Sequence, residues 1–310
     1  MFAVMNAVLP VFALILAGYV CRRWGKLGPA ASSELNRFVV WLGLPALLFD
    51  VTAGSTWQQV WQPGFLLAFG AGSAAVFVLT LLYRLAQRRR LVDASIDSLS
   101  ASYANTGFIG IPLCVLALGK DSLEPALLAT LVVVCVLFGV AVVCIEVGLQ
   151  TEKKLHHALG KVGKALASNP LIVSPLLGAL WACSGQPLPG AVHTFMNLLG
   201  AAASPCALVA LGLFLAQKQE GSRDGSLLLV LAKLIVQPVL TWYLAFRALH
   251  LPPLWANSAL LLSALPTGTG PFMLAEFYRR EAAVVSSVIL VSTLGSLLTL
   301  SACLYVIGGH

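Results

Sequence analysis

Charged residues are scarce in this 310-residue chain. Asp, Glu, Lys and Arg make up 10% of it and hydrophobic residues 59%, whereas soluble domains carry about 25% charged residues. The length alone would allow two soluble domains, but a soluble surface needs more charge than this. The sequence therefore predicts an all-α integral membrane protein, a single bundle of helices joined by short loops.

The chain also lacks the patterns of metal sites and of common enzymes. Its seven cysteines form no CxxC pair and have no His at zinc-site spacing. It contains no HExxH or Walker A motif and no recognisable nucleophile–base pair. We therefore expect no enzymatic activity, no cofactor and no bound metal, and we interpret the cysteines as small packing residues.

Ten apolar segments approach the length that spans a bilayer, about 20 residues. Segments four and nine are each interrupted by a cluster of Gly and Pro. The predicted limits of the ten are 2–21, 35–54, 64–86, 95–118, 123–149, 167–184, 193–216, 226–249, 255–278 and 283–307.

Basic residues alternate with these segments. All but three of the 19 Lys and Arg residues lie in or beside the connections after segments one, three, five, seven and nine, the exceptions being Lys120, Lys233 and Arg247. The positive-inside rule places those connections in the cytoplasm and both termini on the extracytoplasmic side of an inner (plasma) membrane. The net charge of +7 thus comes from loops, and we expect no nucleic-acid partner.

Gly and Pro residues recur at an offset of 160 residues. Five helices per half is an odd number, so the second half would enter the membrane upside down, as in the inverted repeats of secondary transporters. The predicted units are residues 1–150 and 151–310. The matching pairs are Pro10 and Pro170, Gly18 and Gly178, Gly25 and Gly185, Pro29 and Pro189, Pro45 and Pro205, and Gly110 and Gly270.

The interruptions of segments four and nine, Asn105–Pro112 and Pro266–Pro271, occupy corresponding places in the two halves. Irregular backbone survives at mid-membrane only when it is buried in protein or lines a cavity. Paired interruptions of this kind indicate a transporter substrate site, although simple kinking of two helices is the alternative. We expect half-helices at about 95–105, 111–118, 255–265 and 272–278.

Neutral hydrogen-bonding groups cluster at both interruptions. Helix N-termini near Ile111 and Phe272 would attract a carboxylate without a fixed cation, although the polar side chains could instead cap the broken ends. The predicted substrate-binding residues are Asn105, Thr106, Gly107, Gly110, Pro112, Thr267, Gly268, Thr269, Gly270 and Pro271.

Four ionisable residues lie within or at the edge of apolar segments and are candidates for coupling to H⁺ or Na⁺. Asp50 and Glu146 are near segment ends, where wet interfacial carboxylates are common. Lys233 could extend to the inner surface. Glu276 precedes Arg279 and Arg280 and fits an ion pair as well as a proton site. The sequence does not decide among uniport, H⁺ coupling and Na⁺ coupling.

The N-x-G-F-x-G-x-P motif at Asn105–Pro112, with the matching Pro45 and Pro205, resembles the auxin efflux carrier family, whose bacterial members include malonate and malate permeases. The resemblance implies the crossover fold shared with bile-acid sodium symporters and some sodium/proton antiporters. It implies that segments 1, 2, 6 and 7 form a scaffold and segments 3–5 and 8–10 a transport unit, in which segments 4 and 9 cross. It also implies a homodimer.

These observations together predict a carrier of small organic anions, mono- or dicarboxylates such as malonate or malate, that works by alternating access within the lipid bilayer. A sodium-coupled carrier like the bile-acid symporters is the alternative within carriers. An ion channel and an intramembrane enzyme are further alternatives. Counterflow separates them, because only a carrier shows trans-stimulation.

Overall fold

The computed structural model describes residues 2–54, 61–150, 164, 166–217 and 225–308. Within these ranges the regular elements are helices, and the one extended pairing is an antiparallel bridge between Ala104 and Thr267. The helices are α1 (Phe2–Arg23), α2 (Ala31–Ala53), α3 (Pro63–Ala86), α4 (Leu91–Ser102), α5 (106–118), α6 (Lys120–Gly148), α7 (Pro170–Cys183), α8 (Gly190–Leu215), α9 (Ser226–Ala248), α10 (Pro253–Ser263), α11 (Gly270–Phe277) and α12 (Ala283–Gly308).

Six of the described helices, α2, α3, α6, α8, α9 and α12, are long and apolar enough to cross a membrane, and α7 is a shorter apolar helix. The outer surface is strongly apolar. Leu180, Leu198 and Leu298 expose 68%, 69% and 78% of their area, whereas Lys233 and Gln237 are fully buried. Apolar side chains outside with polar groups inside suit a lipid environment, so the chain is a multi-pass membrane protein.

Segments four and nine each form two helices, with non-helical backbone at 103–105 and 264–269. The first break is shorter than we expected. α5 begins at Thr106, not near Ile111, and α11 begins at Gly270, not near Phe272. The carbonyl of Asn105 accepts the N–H groups of Ile109 and Gly110, which closes a wide first turn through the glycines. Gly107, Gly110 and Pro112 therefore lie inside α5.

Glycines bring α1 against α8 and α7 against α2. A Cβ atom on Gly18 would collide with the carbonyl of Val209, and one on Gly178 would lie 2.6 Å from the carbonyl of Phe49. The two contacts correspond at an offset of 160 positions, because Gly178 corresponds to Gly18 and Val209 to Phe49. Small residues allow such close backbone approach between membrane helices.

The half-helix α4 is enclosed by α3, α6, α9, α11 and α12, and every residue from Ala94 to Ser102 is buried. Four of its serines donate to carbonyls four residues earlier in the same helix: Ser95, Ser98, Ser100 and Ser102. These hydroxyls therefore have hydrogen-bond acceptors within their own helix and do not need one on the surrounding helices.

The bundle has two opposite ends, and each is named after a residue that lies there. The Arg280 face carries the α11–α12 connection, and the Lys120 face carries the α5–α6 connection. The basic loop predicted at 150–166 falls mostly in residues 151–163, which lie outside the described residues, as do Lys218 and Arg223.

Candidate functional site

The two broken segments are joined through their main chains. The Asn105 N–H donates to the Pro266 carbonyl and the Gly268 N–H to the Tyr103 carbonyl, both at 2.9 Å. These two bonds flank the bridge between Ala104 and Thr267. The breaks therefore satisfy part of each other's backbone, which an interruption within a bilayer requires.

Glycine is required beside this joint because the Tyr103 ring lies against the second break. A Cβ atom on Gly268 would lie 3.0 Å from the ring, and one on Gly270 would lie 2.6 Å from its Cζ atom. Tyr103 is only 6% exposed, so an added Cβ atom would press against a buried ring. Gly268 and Gly270 therefore allow the second break to pack against the Tyr103 ring.

Thr267 has a structural part in the second break. Its hydroxyl donates to the Ser100 carbonyl near the end of α4 at 2.8 Å, and its N–H donates to the Ser292 hydroxyl on α12 at 3.1 Å. With both groups engaged and 1% of its surface exposed, Thr267 holds the break to α4 and α12. It does not line the cavity.

A cavity of about 210 Å³ lies beside the crossing, between it and the helices α2 and α8. Of the predicted site residues, Asn105, Thr106, Gly107 and Thr269 line it. The wall opposite them comes from Leu44, Leu47 and Val51 of α2 and from Gly200, Ala201, Ala203 and Ser204 of α8, and the remaining wall from Tyr103, Ala104, Ile111, Leu127, Thr130, Val134 and Met273. Among the described residues, none that lines the cavity is charged.

The N-terminus of α5 opens onto this cavity at Thr106 and Gly107. First-turn N–H groups have no partner within their own helix and carry partial positive charge. The Thr106 hydroxyl is buried and has no hydrogen-bond partner among the described atoms. Because a buried hydroxyl without a partner is costly, this group marks a position where a bound acceptor would be stabilised.

A larger vestibule of about 780 Å³ opens at the Lys120 face and shares Leu47, Val51 and Leu127 with the cavity. Its wall carries Lys120, Asp121 and Glu124 together with Asp50. The Asp50 carboxylate lies 2.7 Å from the His193 ring, so the predicted interfacial carboxylate lies at a helix end with a partner. The shared residues show that the cavity and the vestibule are neighbours.

Toward the Arg280 face, α11 is packed against α2 and α8. The Asn36 amide donates to the Met273 carbonyl at 3.3 Å. The rings of Trp41 and Phe277 meet at 6.1 Å between centroids, and those of Phe214 and Phe272 at 5.3 Å. These contacts cover the side of the crossing that is opposite the vestibule.

The remaining predicted site residues lie outside the cavity. Gly110 faces the end of α10 and the second break, where an added Cβ atom would lie 2.9 Å from a methyl of Leu262 and 2.8 Å from one of Leu265. Pro271 lies in the first turn of α11, where the missing N–H costs nothing. Pro112 lies inside α5, just after the wide turn passes into regular α-helix.

The candidate coupling residues differ in their surroundings. Lys233 does not extend to the inner surface as the sequence suggested. It is fully buried, and its ammonium donates to the Ser263 carbonyl at 2.8 Å. Glu276 is half-buried. Of the two arginines that follow it, Arg280 binds both carboxylate oxygens of Asp93 instead, at 2.7 and 2.6 Å. Those hydrogen bonds raise the pKa of Arg280 above its ordinary value.

Several contributing residues were missed at the level of sequence. Tyr103, Thr130 and Ser204 line the cavity, and the last two were visible as isolated hydroxyls within apolar segments. Arg84 and Asp97 form a buried ion pair at 2.9 Å between α3 and α4. A carboxylate deep in a predicted half-helix was a signal for such a partner.

Among the described residues no group of three or more His, Cys, Asp or Glu side chains is arranged to hold a metal. The arrangement offers neutral hydrogen-bond donors and a helix N-terminus in a small enclosed space, with an approach from one face. Helix N-termini and neutral donors of this kind are suited to holding an anion.

Comparison with known proteins supplies a family. A family model described as "Membrane transport protein" matches residues 3–304. The chain is 31% identical over 307 residues to a "Putative malonate transporter" of Rhizobium meliloti (strain 1021), covering 98% of this chain and 96% of the relative. It is 28% identical over 313 residues to an "Uncharacterized transporter" of Methanothermobacter thermautotrophicus, covering 95% of each. A "Probable auxin efflux carrier component 5c" of Oryza sativa subsp. japonica matches 47% of this chain and 41% of its own length at 28% identity.

Proposed function

The chain belongs to the auxin efflux carrier family of membrane transport proteins, and from that premise we propose that it is a secondary carrier of small organic anions. The observation that carries the proposal is the cavity at the crossing, which the α5 N-terminus and Thr106 line and to which the described residues contribute no charged side chain. The buried Thr106 hydroxyl has no partner among the described atoms. Dipoles and neutral donors favour an anion and still allow its release.

We propose a small mono- or dicarboxylate as the substrate, with malonate and malate as the first compounds to test. The family resemblance and the printed name of the Rhizobium relative supply these two names. A cavity of about 210 Å³ suits molecules of this size. A phosphorylated metabolite suits it less, because several negative charges ordinarily call for Arg or Lys.

The proposed architecture is ten membrane spans in two inverted five-helix repeats, with α4–α5 and α10–α11 as the broken spans. The alternation of basic connections supports it. The contacts of Gly18 with Val209 and of Gly178 with Phe49, related by 160 positions, also support it. An inverted repeat relates the two halves by a pseudo-two-fold axis in the membrane plane, so each contact has a counterpart.

In the proposed alternating access, one group of helices moves relative to another. We assign α1, α2, α7 and α8 to a scaffold, and α3–α6 and α9–α12 to a unit that moves with the substrate. The cavity lies between the two groups, and the vestibule leads from it to the Lys120 face. The contacts of Met273, Phe272 and Phe277 would have to part when the site opens to the Arg280 face.

The positive-inside rule places the Arg280 face on the cytoplasmic side of a plasma membrane and both termini on the opposite side. Reporters fused after residue 310 and within the 150–166 connection should report opposite sides. A cytoplasmic reporter at the C-terminus would refute this topology.

Counterflow in proteoliposomes tests the function. Vesicles loaded with unlabelled malonate or malate should take up the labelled compound faster than empty vesicles and return it chemically unchanged. Uptake without trans-stimulation would favour a channel, and altered product an enzyme. A thermal-shift screen of carboxylates on the purified protein should identify the substrate before transport is measured.

A further inference from the structure

The C-terminal ends of α4 and α10 both point into the crossing. The last carbonyls of a helix have no partner within it and carry partial negative charge. In broken membrane helices such ends commonly coordinate a transported or coupling cation. If donors of the protein already bind these carbonyls, the carrier does not need an inorganic cation there.

The end of α4 is satisfied by neutral donors. The Thr267 hydroxyl donates to the Ser100 carbonyl at 2.8 Å, and the Gln237 amide donates to the Ser102 carbonyl at 3.2 Å. The same amide donates to the Ser73 hydroxyl at 2.9 Å, which fixes it between α3 and α4. Each of these two carbonyls therefore has a neutral donor in the structure.

The end of α10 is satisfied by a charged donor from α9. The Lys233 Nζ atom donates to the Ser263 carbonyl at 2.8 Å, and the side chain is fully buried. No carboxylate pairs with it among the described residues. An unpaired ammonium in a membrane core is costly, and the negative end of a helix offsets part of that cost.

We propose that the Lys233 ammonium is the resident cation of the crossing. It occupies the place at the end of α10 that a coupling Na⁺ would take, so the carrier binds and moves its anion without Na⁺. Lys233 is not part of the cavity wall, to which the described residues contribute no charged side chain; we expect its positive charge to favour an anion in the cavity from behind that wall. The statements about transport rest on the proposed function, whereas the statement about the cation position does not.

Salt replacement tests the proposal on the intact wild-type protein. Replacing NaCl by choline chloride should leave both the melting temperature of the purified protein and the rate of carboxylate counterflow unchanged. A melting temperature that rises with Na⁺ at constant ionic strength, or counterflow that stops in choline, would overturn it. If no carboxylate exchanges in any salt, the proposed function fails, while melting still tests the cation position.

Two variants test the ammonium itself. Lys233→Met keeps an unbranched side chain of nearly the same length and removes the charge, so it should lower counterflow at least tenfold. Lys26→Met, at an exposed position, is the control and should match wild type. In Lys233→Ala, propylammonium chloride should raise the melting temperature and 1-propanol should not. Wild-type counterflow in Lys233→Met would overturn the proposal, as would equal responses of Lys233→Ala to the amine and the alcohol. If neither variant folds, the wild-type salt comparison decides.

Discussion

The backbone N–H of Asn105 donates to the carbonyl of Pro266 at 2.9 Å, and this bond joins the two interrupted segments. Because the bond uses the main chain, it would survive loss of the Asn105 amide. The Asn105 side chain lines the cavity, so at this residue the joint and the binding surface are separate parts. Substitution can therefore distinguish them.

The Thr106 hydroxyl should serve the ligand and not the fold. It is buried without a partner, so Thr106→Val should leave the melting temperature unchanged or raise it slightly, because a costly unpaired group is removed. Carboxylate affinity should fall by about 5-fold or more, as expected for the loss of one hydrogen bond. Thermal shift with and without substrate measures both quantities.

Thr130→Val is the control for this substitution. The Thr130 hydroxyl also lies beside the cavity but already donates to the Ala126 carbonyl at 2.8 Å, so its loss should have a smaller effect on affinity. Equal affinities of Thr106→Val and wild type would remove the hydroxyl of Thr106 from the site.

Gly270 should tolerate no side chain. In Gly270→Ala the new methyl would lie 2.6 Å from the Cζ atom of the buried Tyr103 ring, so we expect a loss of about 1–3 kcal/mol of stability from overpacking. Gly190→Ala, where nothing lies within 4 Å of the added carbon, should change stability by about 0.5 kcal/mol or less. Similar melting temperatures for the two variants would contradict the close approach of ring and glycine.

The sequence was sufficient to predict the helical class and the two interruptions, because long apolar segments and paired Gly/Pro clusters are local signals. It was not sufficient to predict the start of α5. Glycines at 107 and 110 suggested an extended break, whereas the wide turn closed by the Asn105 carbonyl keeps them helical. Which of the two outcomes holds depends on packing against α10, which lies more than 140 residues away.

The environment of ionisable residues was also beyond the sequence. Lys233 lies about two turns into predicted segment eight, and the sequence of an apolar segment does not reveal which face of its helix meets the core. Its partner Ser263 is 30 residues away. The Arg84–Asp97 pair links two antiparallel helices across a tight connection, and only their relative rotation brings the two side chains together.

Motion of the α11 contacts can be tested with crosslinks at the Arg280 face. In a background without the seven native cysteines, Trp41→Cys with Phe277→Cys should be bridged by a bis-methanethiosulfonate reagent that fills the space of the two removed rings, whose centroids lie 6.1 Å apart. Counterflow should stop on bridging and return with dithiothreitol. A Ser32→Cys, Ala210→Cys pair, which joins α2 to α8 where the native residues share a 2.8 Å hydrogen bond, should leave counterflow intact. Full counterflow with the first bridge verified in place would rule out the proposed division into two groups.

The central claim, that the cavity at the crossing binds the transported carboxylate, is tested most directly by the substrate dependence of counterflow in Asn105→Ala. Gln186→Ala, which removes an exposed amide away from the cavity, is the matched control, and all proteins should be compared at equal reconstitution and melting temperature. Loss of one neutral partner costs about 1–3 kcal/mol, so half-saturation should move roughly 5- to 150-fold higher in Asn105→Ala and stay unchanged in Gln186→Ala. Half-saturation and maximal rate in Asn105→Ala equal to wild type would show that the amide takes no part in binding, and the site would lie elsewhere.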